Sequence, residues 1–203
     1  NPLSYKKYKV ISTVFAEFNL YRNLVFKSQF SVDFSHVTGF SQSFPSYLPN
    51  QGEGSASRNT SDGLNLQVTN TLTYRFDIDN THDFNFLLGH EGQNYHSETF
   101  GVVTKGQTND LLTDVQQGTR AIGWNSTAAA DYSRMSFFGR AEYNYTDRYY
   151  ADFSVRTDGS SRFGKDNSWG AFWSLGAMWN LRNEAFMSHT RNWLTFAQIS
   201  LST

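Results

Sequence analysis

Period-two alternation of apolar and polar side chains constrains this chain most, and it is clearest in residues 134–180. Such alternation is typical of β-strands whose two faces meet different surroundings. One face is apolar and ends in aromatic rings, and the other carries charged, amide and hydroxyl groups. The apolar face consists of Met135, Phe137, Gly139, Ala141, Tyr143, Tyr145, Ala151, Phe153, Val155, Ala171, Trp173, Leu175, Ala177 and Trp179. This pattern predicts strands with lipid outside and water inside.

Composition narrows the class of protein further. The 203 residues suffice for one domain, and 17 Lys+Arg against 18 Asp+Glu leave no basic surface for nucleic acid. The mean hydropathy is −0.54, and no run approaches the roughly 18–20 apolar residues of a membrane-spanning helix. A barrel remains compatible with that value, because half of each strand faces water. The absence of cysteine excludes thiolate zinc sites, iron–sulfur clusters and cysteine nucleophiles.

Taken in order, the chain contains eight runs that we predict as strands. They fall at residues 8–21, 24–34, 64–76, 83–91, 134–145, 151–156, 170–180 and 197–202. Their connections alternate between short and long, as in an all-β, antiparallel up-and-down transmembrane barrel with short periplasmic turns and long extracellular loops. The predicted turns lie near Asn23, Asn80, Asp147 and Glu184. The predicted loops span residues 36–62, 92–133 and 157–168.

Several motifs in these runs carry a family resemblance. They are Asp147-Arg148-Tyr149, Arg156-Thr157-Asp158-Gly159-Ser160-Ser161-Arg162-Phe163-Gly164, Trp169-Gly170, His82-Asp83-Phe84-Asn85-Phe86 and Gly89-His90-Glu91. In this order they closely resemble the barrel signature of the SusC/RagA family, the TonB-dependent outer-membrane transporters of Bacteroidetes. The resemblance covers roughly residues 8–203.

The resemblance implies a location in the bacterial outer membrane and TonB-dependent uptake of an oligosaccharide or a peptide. It implies no enzymatic activity and no cofactor, and it implies a SusD-like surface lipoprotein, TonB and membrane lipid as partners. Barrels of this family have about 22 strands. Residues 1–203 are therefore expected to be a central part of a receptor barrel domain, with the plug domain and the amino-terminal extension outside this sequence. The start at Asn1 without a signal peptide and the end within an alternating run agree with that expectation.

The segment Asp158, Gly159, Ser160, Ser161, Arg162, Phe163 and Gly164 has two interpretations. It is either a tight structural loop, rich in turn-forming residues, or a substrate contact at the outer mouth of the barrel. The structural interpretation is favoured, with Arg162 expected to bond nearby carbonyls or Asp158.

Polar-face residues are expected to line the lumen or to contact the plug. They are Lys27, Gln29, Arg75, Arg140, Glu142 and Arg156. Glu142 and Asp152 could be taken for a glycosidase pair, but ion pairing with arginines on facing strands is the stronger interpretation.

Other constellations give weaker signals. His90, Glu91 and His96 lack the four-residue histidine spacing of zinc-protease helices, and the five histidines, among them His36, His82 and His189, are scattered, so no metal site is predicted. Tyr47, Tyr95, Trp124 and Tyr132 could stack on sugars or pack loops together, and the sequence favours neither.

Two bands of aromatic rings are predicted at the ends of the strands, where a barrel meets the membrane interfaces. The band near the short turns contains Tyr74, Phe76, Tyr145, Tyr149, Tyr150, Trp179 and Trp193. The band near the loops contains Phe34, Tyr132, Phe163 and Trp169.

Two other architectures fit eight alternating strands. One is a small closed outer-membrane barrel with a structural or adhesin role. The other is a soluble glycan-binding β-sandwich, whose apolar faces would meet in a single core. A chain that is soluble and monomeric without detergent would exclude both membrane interpretations.

Overall fold

A computed structural model describes residues 3–47, 52–126, 130–163, 169–190 and 193–203. These residues form β-strands joined by turns and short 3₁₀ helices. The strands are β1 (Leu3–Tyr21), β2 (Leu24–Ser43), β3 (Gly54–Ile78), β4 (His82–Gln107), β5 (Arg120–Ser126), β6 (Tyr132–Tyr145), β7 (Tyr149–Ser160), β8 (Trp169–Asn180) and β9 (Gln198–Ser202). The 3₁₀ helices are Val115–Gln117, Leu181–Asn183 and Ala185–Thr190. No helix among the described residues has the length and apolar character needed to cross a membrane.

The strands pair in the order β1-β2-β3-β4-β6-β7-β8-β9, and β5 lies off this path, paired with β4. Eight strands in chain order confirm the predicted up-and-down topology, and β5 is an additional strand that the sequence did not predict. Within the described residues, β1 and β9 are the two ends of the order. This open order does not support a small closed barrel, and a single sheet does not support a sandwich.

The register of β6, β7 and β8 fixes the two faces of the sheet. Ala141 lies opposite Phe153, which lies opposite Leu175. One position along, Glu142 lies opposite Asp152, and Asp152 opposite Gly176. In these rows the alternation in the sequence places apolar residues beside apolar residues and polar residues beside polar residues. The polar face also carries rings, since Phe138 and Phe172 both lie opposite Arg156.

The short turns depend on residues in the left-handed region. Asp79 and Asn80 have φ of 53° and 49°, and Thr146 and Asp147 have φ of 49° and 55°. In both turns the flanking residues share a backbone hydrogen bond, from Thr81 to Ile78 and from Arg148 to Tyr145. Two central residues at positive φ define the type I′ turn that suits the twist of a hairpin.

The described chain divides into two compact units. The first unit comprises residues 1–13, 31–66 and 94–132, and the second comprises residues 14–30, 67–93 and 133–203. In the second unit the large apolar side chains of one sheet face are exposed, as lipid-facing positions are; they include Leu88, Phe153, Val155, Trp173 and Leu175. In the first unit the buried residues are small or polar, and include Gln42, Ala56, Thr104 and Gln107.

The predicted loops 36–62 and 92–133 are wrong over most of their length. β2 continues to Ser43, β3 begins at Gly54, and β4 continues to Gln107 before β5 and β6. A tilted strand crosses the hydrocarbon layer with about 9–11 residues, whereas β3 and β4 have 25 and 26. The remaining residues of these strands carry polar groups on both faces, so their sequence does not alternate although their backbones pair.

The predicted loop 157–168 also begins too early. Asp158, Gly159 and Ser160 belong to β7 and pair with β6, while Ser161, Arg162 and Phe163 form the turn that follows. Gly164 lies outside the described residues.

Candidate functional site: the polar face of the second unit

Arg156, near the centre of β7, organises the first group of polar side chains in the second unit. Its Nε donates to Asp158 Oδ1 at 2.7 Å, and one terminal nitrogen donates to Glu91 Oε1 at 3.1 Å. Gln67 donates from Nε2 to the other oxygen of Glu91 at 3.0 Å. We call Gln67, Glu91, Arg156 and Asp158 the Arg156 cluster. It joins β3, β4 and β7 through charge-assisted hydrogen bonds.

The Phe138 ring packs against the guanidinium of the Arg156 cluster. The Arg156 guanidinium lies 5.3 Å from the centroid of the Phe138 ring, within the range of a cation–π contact. Phe138 in turn covers Gly89, and a Cβ at Gly89 would collide with the ring. The lack of a side chain at position 89 therefore allows Phe138 to lie flat, and Phe138 holds the guanidinium in place.

Arg140 organises a second group of polar side chains. One of its terminal nitrogens lies 2.9 Å from Glu142 Oε1 and 3.8 Å from Asp152 Oδ2. Asn85 donates to Glu142 Oε2 at 2.5 Å, and Arg75 Nε donates to Asn85 Oδ1 at 3.2 Å. We call Arg75, Asn85, Arg140, Glu142 and Asp152 the Arg140 cluster. It lines a cavity of about 760 Å³.

A row of rings crosses the opposite, apolar face at the short-turn end of the second unit. Ring centroids of neighbouring residues lie 4.9 to 6.5 Å apart, a separation typical of interacting aromatic pairs. In spatial order the row runs Phe76, Phe84, Tyr143, His82, Tyr145, Tyr149, Trp179 and Phe186. Four residues of the band predicted near the short turns belong to this aromatic row, namely Phe76, Tyr145, Tyr149 and Trp179, and Tyr74 lies beside it with its ring centroid 5.3 Å from that of Phe76. Tyr150 does not belong to the row, because it lies opposite Asn144 on the polar face and donates to Asp147 at 3.1 Å.

Glu184 fastens the row to the connection between β8 and β9. The same oxygen of Glu184, Oε1, accepts from the Tyr149 hydroxyl at 2.7 Å and from Trp179 Nε1 at 3.0 Å. Arg148 lies 4.0 Å from the other oxygen. The bond from Tyr149, the bond from Trp179 and the charge of Arg148 lower the pKa of the Glu184 carboxyl below its ordinary value.

Known proteins of similar sequence and structure indicate the family to which a chain with this geometry belongs. No family model matches the chain. The TonB-dependent receptor P26 of Formosa agariphila is 33% identical over 183 residues, which are 87% of this chain and 18% of that protein. The TonB-dependent receptor SusC of Bacteroides thetaiotaomicron is 36% identical over 105 residues, 52% of this chain and 10% of that protein. The structure of the RagAB peptide transporter matches 99% of this chain and 22% of its own, with a TM-score of 0.88 and 31% identity.

The chain belongs to the SusC/RagA family of TonB-dependent receptors. It spans between a tenth and about a fifth of the length of these relatives. The ferric preacinetobactin receptor BauA of Acinetobacter baumannii shares the fold alone, at 11% identity and a TM-score of 0.56. The sheet of this chain is part of an outer-membrane β-barrel, and its apolar face is turned toward lipid.

The structure places four of the six predicted polar-face residues in the two polar clusters. Arg156 stands in the Arg156 cluster, and Arg75, Arg140 and Glu142 stand in the Arg140 cluster. Lys27 belongs to neither, and its ammonium lies 4.6 Å from the Phe15 ring centroid. Gln29 is half-buried on β2.

The segment that carries the family signature is joined to this polar face. Asp158 accepts a hydrogen bond from Arg156, whereas the sequence predicted that Arg162 would bond nearby carbonyls or Asp158. Ser161 is tied back to β6, since its backbone N–H donates to Ser133 O at 3.0 Å and its hydroxyl accepts from the Ser133 N–H at 2.9 Å.

Sequence reasoning missed a polar group in the first unit. Lys9 pairs with Asp33 at 3.0 Å, and both border a cavity of about 270 Å³ with Lys7, Tyr95 and Tyr132. The two tyrosine rings stack on each other at 4.9 Å, which supports packing between strands for this pair. Period two along β1 places Lys7 and Lys9 on one face, and that signal could have identified them.

The histidines form separate pairs. His36 contacts Asp62 and His96 contacts Asp131, each at 2.5 Å, and His82 bonds the Tyr143 hydroxyl at 2.7 Å. Among the described residues there is no group of three or more ligating side chains that could hold a metal ion.

Proposed function

We propose that this chain is part of the barrel wall of an energy-coupled outer-membrane transporter that imports an oligosaccharide or a peptide. The observation that carries the proposal is the pairing of two unlike faces on a sheet that matches a RagAB structure with a TM-score of 0.88. One face bears the aromatic row and exposed apolar side chains, and the other bears the Arg140 and Arg156 clusters. A barrel wall between lipid and a water-filled lumen needs this division.

The polar clusters are proposed to line the lumen, where they contact the plug domain or the passing nutrient. Arg140 and Arg156 are each about half exposed in spite of their ion pairs. A guanidinium carries five N–H donors in a fixed plane, so each arginine keeps donors for a second partner after it has bonded its carboxylates. Lys27 and Gln29 are assigned to the same lining, by the strand pattern alone.

The signature segment 158–164 is proposed to act structurally. Its first three residues extend β7, Asp158 is held by Arg156, and Ser161 is tied to Ser133. These contacts support a role of the segment in fixing the end of the β7–β8 hairpin. We therefore do not propose the segment as the primary substrate contact.

The partners proposed for the whole protein follow from the family. A SusD-like surface lipoprotein would cover the extracellular side, and TonB would supply energy through the plug domain. Residues 1–203 would then be part of the receptor barrel domain. The wall contributes no chemical step, so no enzymatic activity is proposed.

The test is uptake by the full-length protein in its native outer membrane. Cells are given fluorescently labelled oligosaccharides and, separately, labelled peptides, with the gene intact, deleted or complemented, and with TonB active or inactivated. Import of one of the two classes should require both the gene and TonB. The proposal would be contradicted if deletion of the gene changed import of neither class. It would also be contradicted if the import that depends on the gene continued after TonB is inactivated.

A matched pair of variants tests the role of the polar face. Arg156→Met removes the centre of the Arg156 cluster and should lower the rate of uptake. Glu98→Gln changes an exposed carboxylate on β4 in the first unit and should leave uptake unchanged.

A further inference from the structure

The connection between β8 and β9, of which residues 181–190 and 193–197 are described, differs from the other short-turn connections. The other turns at this end contain two or three residues, whereas this one contains the 3₁₀ helices Leu181–Asn183 and Ala185–Thr190. Arg182 closes its base, because its backbone N–H donates to Ala197 O at 3.3 Å and its Nε donates to Leu194 O at 3.2 Å. The described residues of the connection are therefore folded and joined to each other at its base.

Polar contacts fix this element to the end of the sheet. Asn183 Nδ2 donates to Asp147 O at 2.8 Å, and the Asn180 N–H donates to Arg148 O at 2.7 Å. Glu184 is buried and accepts from both Tyr149 and Trp179. The side chains of Asn183 and Glu184 therefore point toward the sheet and the neighbouring turn.

Its apolar rings, by contrast, are exposed. Phe186, Trp193 and Phe196 are 64%, 72% and 68% exposed. Phe186 meets the edge of Trp179 at a centroid distance of 6.5 Å and an interplanar angle of 71°. Trp179 is part of the aromatic row on the lipid-facing side of the sheet, so Phe186 continues that row beyond the last residue of β8.

We propose that the described part of this connection, residues 181–190 and 193–197, lies in the periplasmic interface of the bilayer and inserts Phe186 and Phe196 among the lipids, with Trp193 beside them. Aromatic rings are favoured at the boundary between headgroups and acyl chains. The continuity with the aromatic row selects lipid over water as the surroundings of Phe186. The element would thus extend the membrane contact of the barrel from strands to a connection that lies along the membrane surface.

Site-directed spin labelling of the full-length protein in phospholipid bilayers tests this directly. The chain contains no cysteine, so Phe186→Cys and Phe196→Cys can each carry one nitroxide once any cysteine elsewhere in the protein is replaced by serine. Phe153→Cys on the apolar face serves as the lipid-facing control. Leu111→Cys, at a residue 82% exposed in the first unit, serves as the water-facing control.

Power-saturation EPR then compares collision with oxygen, which concentrates in lipid, and with a water-soluble nickel chelate. Both labels at 186 and 196 should collide more with oxygen than with the chelate, as the label at 153 does, and opposite to the label at 111. Preference for the chelate would place the connection in water and overturn the proposal. Low collision with both reagents would show that protein covers the rings, and would overturn it as well.

Variants that retain the heat-modifiable mobility of the folded barrel are the ones compared. If Phe186→Cys does not retain it, Phe196→Cys and Trp193→Cys decide the same question, since all three rings are exposed on one connection.

Discussion

Leu88 and Glu98 lie ten positions apart on β4, an even separation that puts them on the same face of the strand. Leu88 belongs to the second unit and is exposed beside Phe84 and Phe86, which share its face. Glu98 belongs to the first unit and is an exposed carboxylate. The same face of one strand therefore requires apolar side chains in one unit and accepts a charge in the other. We interpret this difference as a difference in the surroundings of that face, with lipid against Leu88 and water against Glu98, and the first prediction below tests it.

The two units also differ in what holds them together. The second unit has stacked rings on one face and ion pairs on the other, and none of its described large apolar side chains is fully buried. The first unit packs around small and polar groups. Ala56 and Gln107 are each 1% exposed, Gln42 donates to Leu112 O, and Thr104 donates to Val115 O. Buried polar groups need hydrogen-bond partners, and in the first unit a side-chain amide and a hydroxyl supply them to two backbone carbonyls.

The largest expected effect tests the difference in solvent. Leu88→Arg should destabilise the folded barrel in bilayers by about 2–4 kcal/mol, the cost of a cation near the membrane midplane. Glu98→Arg, on the same face of the same strand, should change stability by less than about 1 kcal/mol. Urea unfolding of the full-length protein in phospholipid vesicles measures both. Equal costs for the two variants would show that lipid does not distinguish the two units.

The second effect concerns the packing of the first unit. Gly106 has φ of 98°, and a Cβ there would collide with Thr119. Gly106→Ala should therefore cost more than about 1 kcal/mol and should loosen residues 108–119 locally. Trypsin cleavage after Lys105 or Arg120, identified by mass spectrometry, should become faster.

Gly92→Ala is the control for Gly106→Ala, because its nearest non-neighbouring atom would lie 4.0 Å away. It should leave the cleavage rate unchanged. Equal protection in the two variants would mean that the first unit does not depend on the tight contact at Gly106.

The third effect tests whether the Arg156 cluster acts as a unit. Its side chains are partly exposed, so water and salt reduce the strength of each ion pair. In a double-mutant cycle of Arg156→Met and Glu91→Gln, we expect a coupling free energy of about 1 kcal/mol. Urea midpoints of the four proteins give this value. Strictly additive costs would show that the 3.1 Å contact between Arg156 and Glu91 contributes nothing to stability.

The smallest effect is the pH dependence from Glu184. Its folded-state pKa is lowered from 4.5 by Tyr149, Trp179 and Arg148. The deprotonated carboxylate therefore contributes stability that is fully present above pH 4.5 and is lost as the pH falls through the lower, folded-state value. Urea midpoints between pH 7 and pH 3 should fall less steeply below pH 4.5 in Glu184→Gln than in the unaltered protein. Glu98→Gln should keep the original profile, and an unchanged profile in Glu184→Gln would refute this contribution.

The sequence by itself determined what the lipid and the local backbone demand. Lipid admits only apolar side chains on one face, so residues 134–180 alternate and their strands and faces could be predicted. Hairpin turns need residues that tolerate positive φ, so the turns near Asn80 and Asp147 could be predicted as well. The signature around Asp158–Gly164 then indicated the family, although part of it proved to be strand.

Only the tertiary structure decided what depends on contacts between distant residues. The ends of β2, β3 and β4 are strands because neighbouring backbones pair, and polar side chains on both faces leave no period in the sequence. Tyr150 lies on the polar face because its register with Asn144 places it there. Arg156 reaches Glu91, 65 positions away, and Glu184 is enclosed by Tyr149 and Trp179. Residue spacing carries no record of such partners, because they meet only when the sheet has formed.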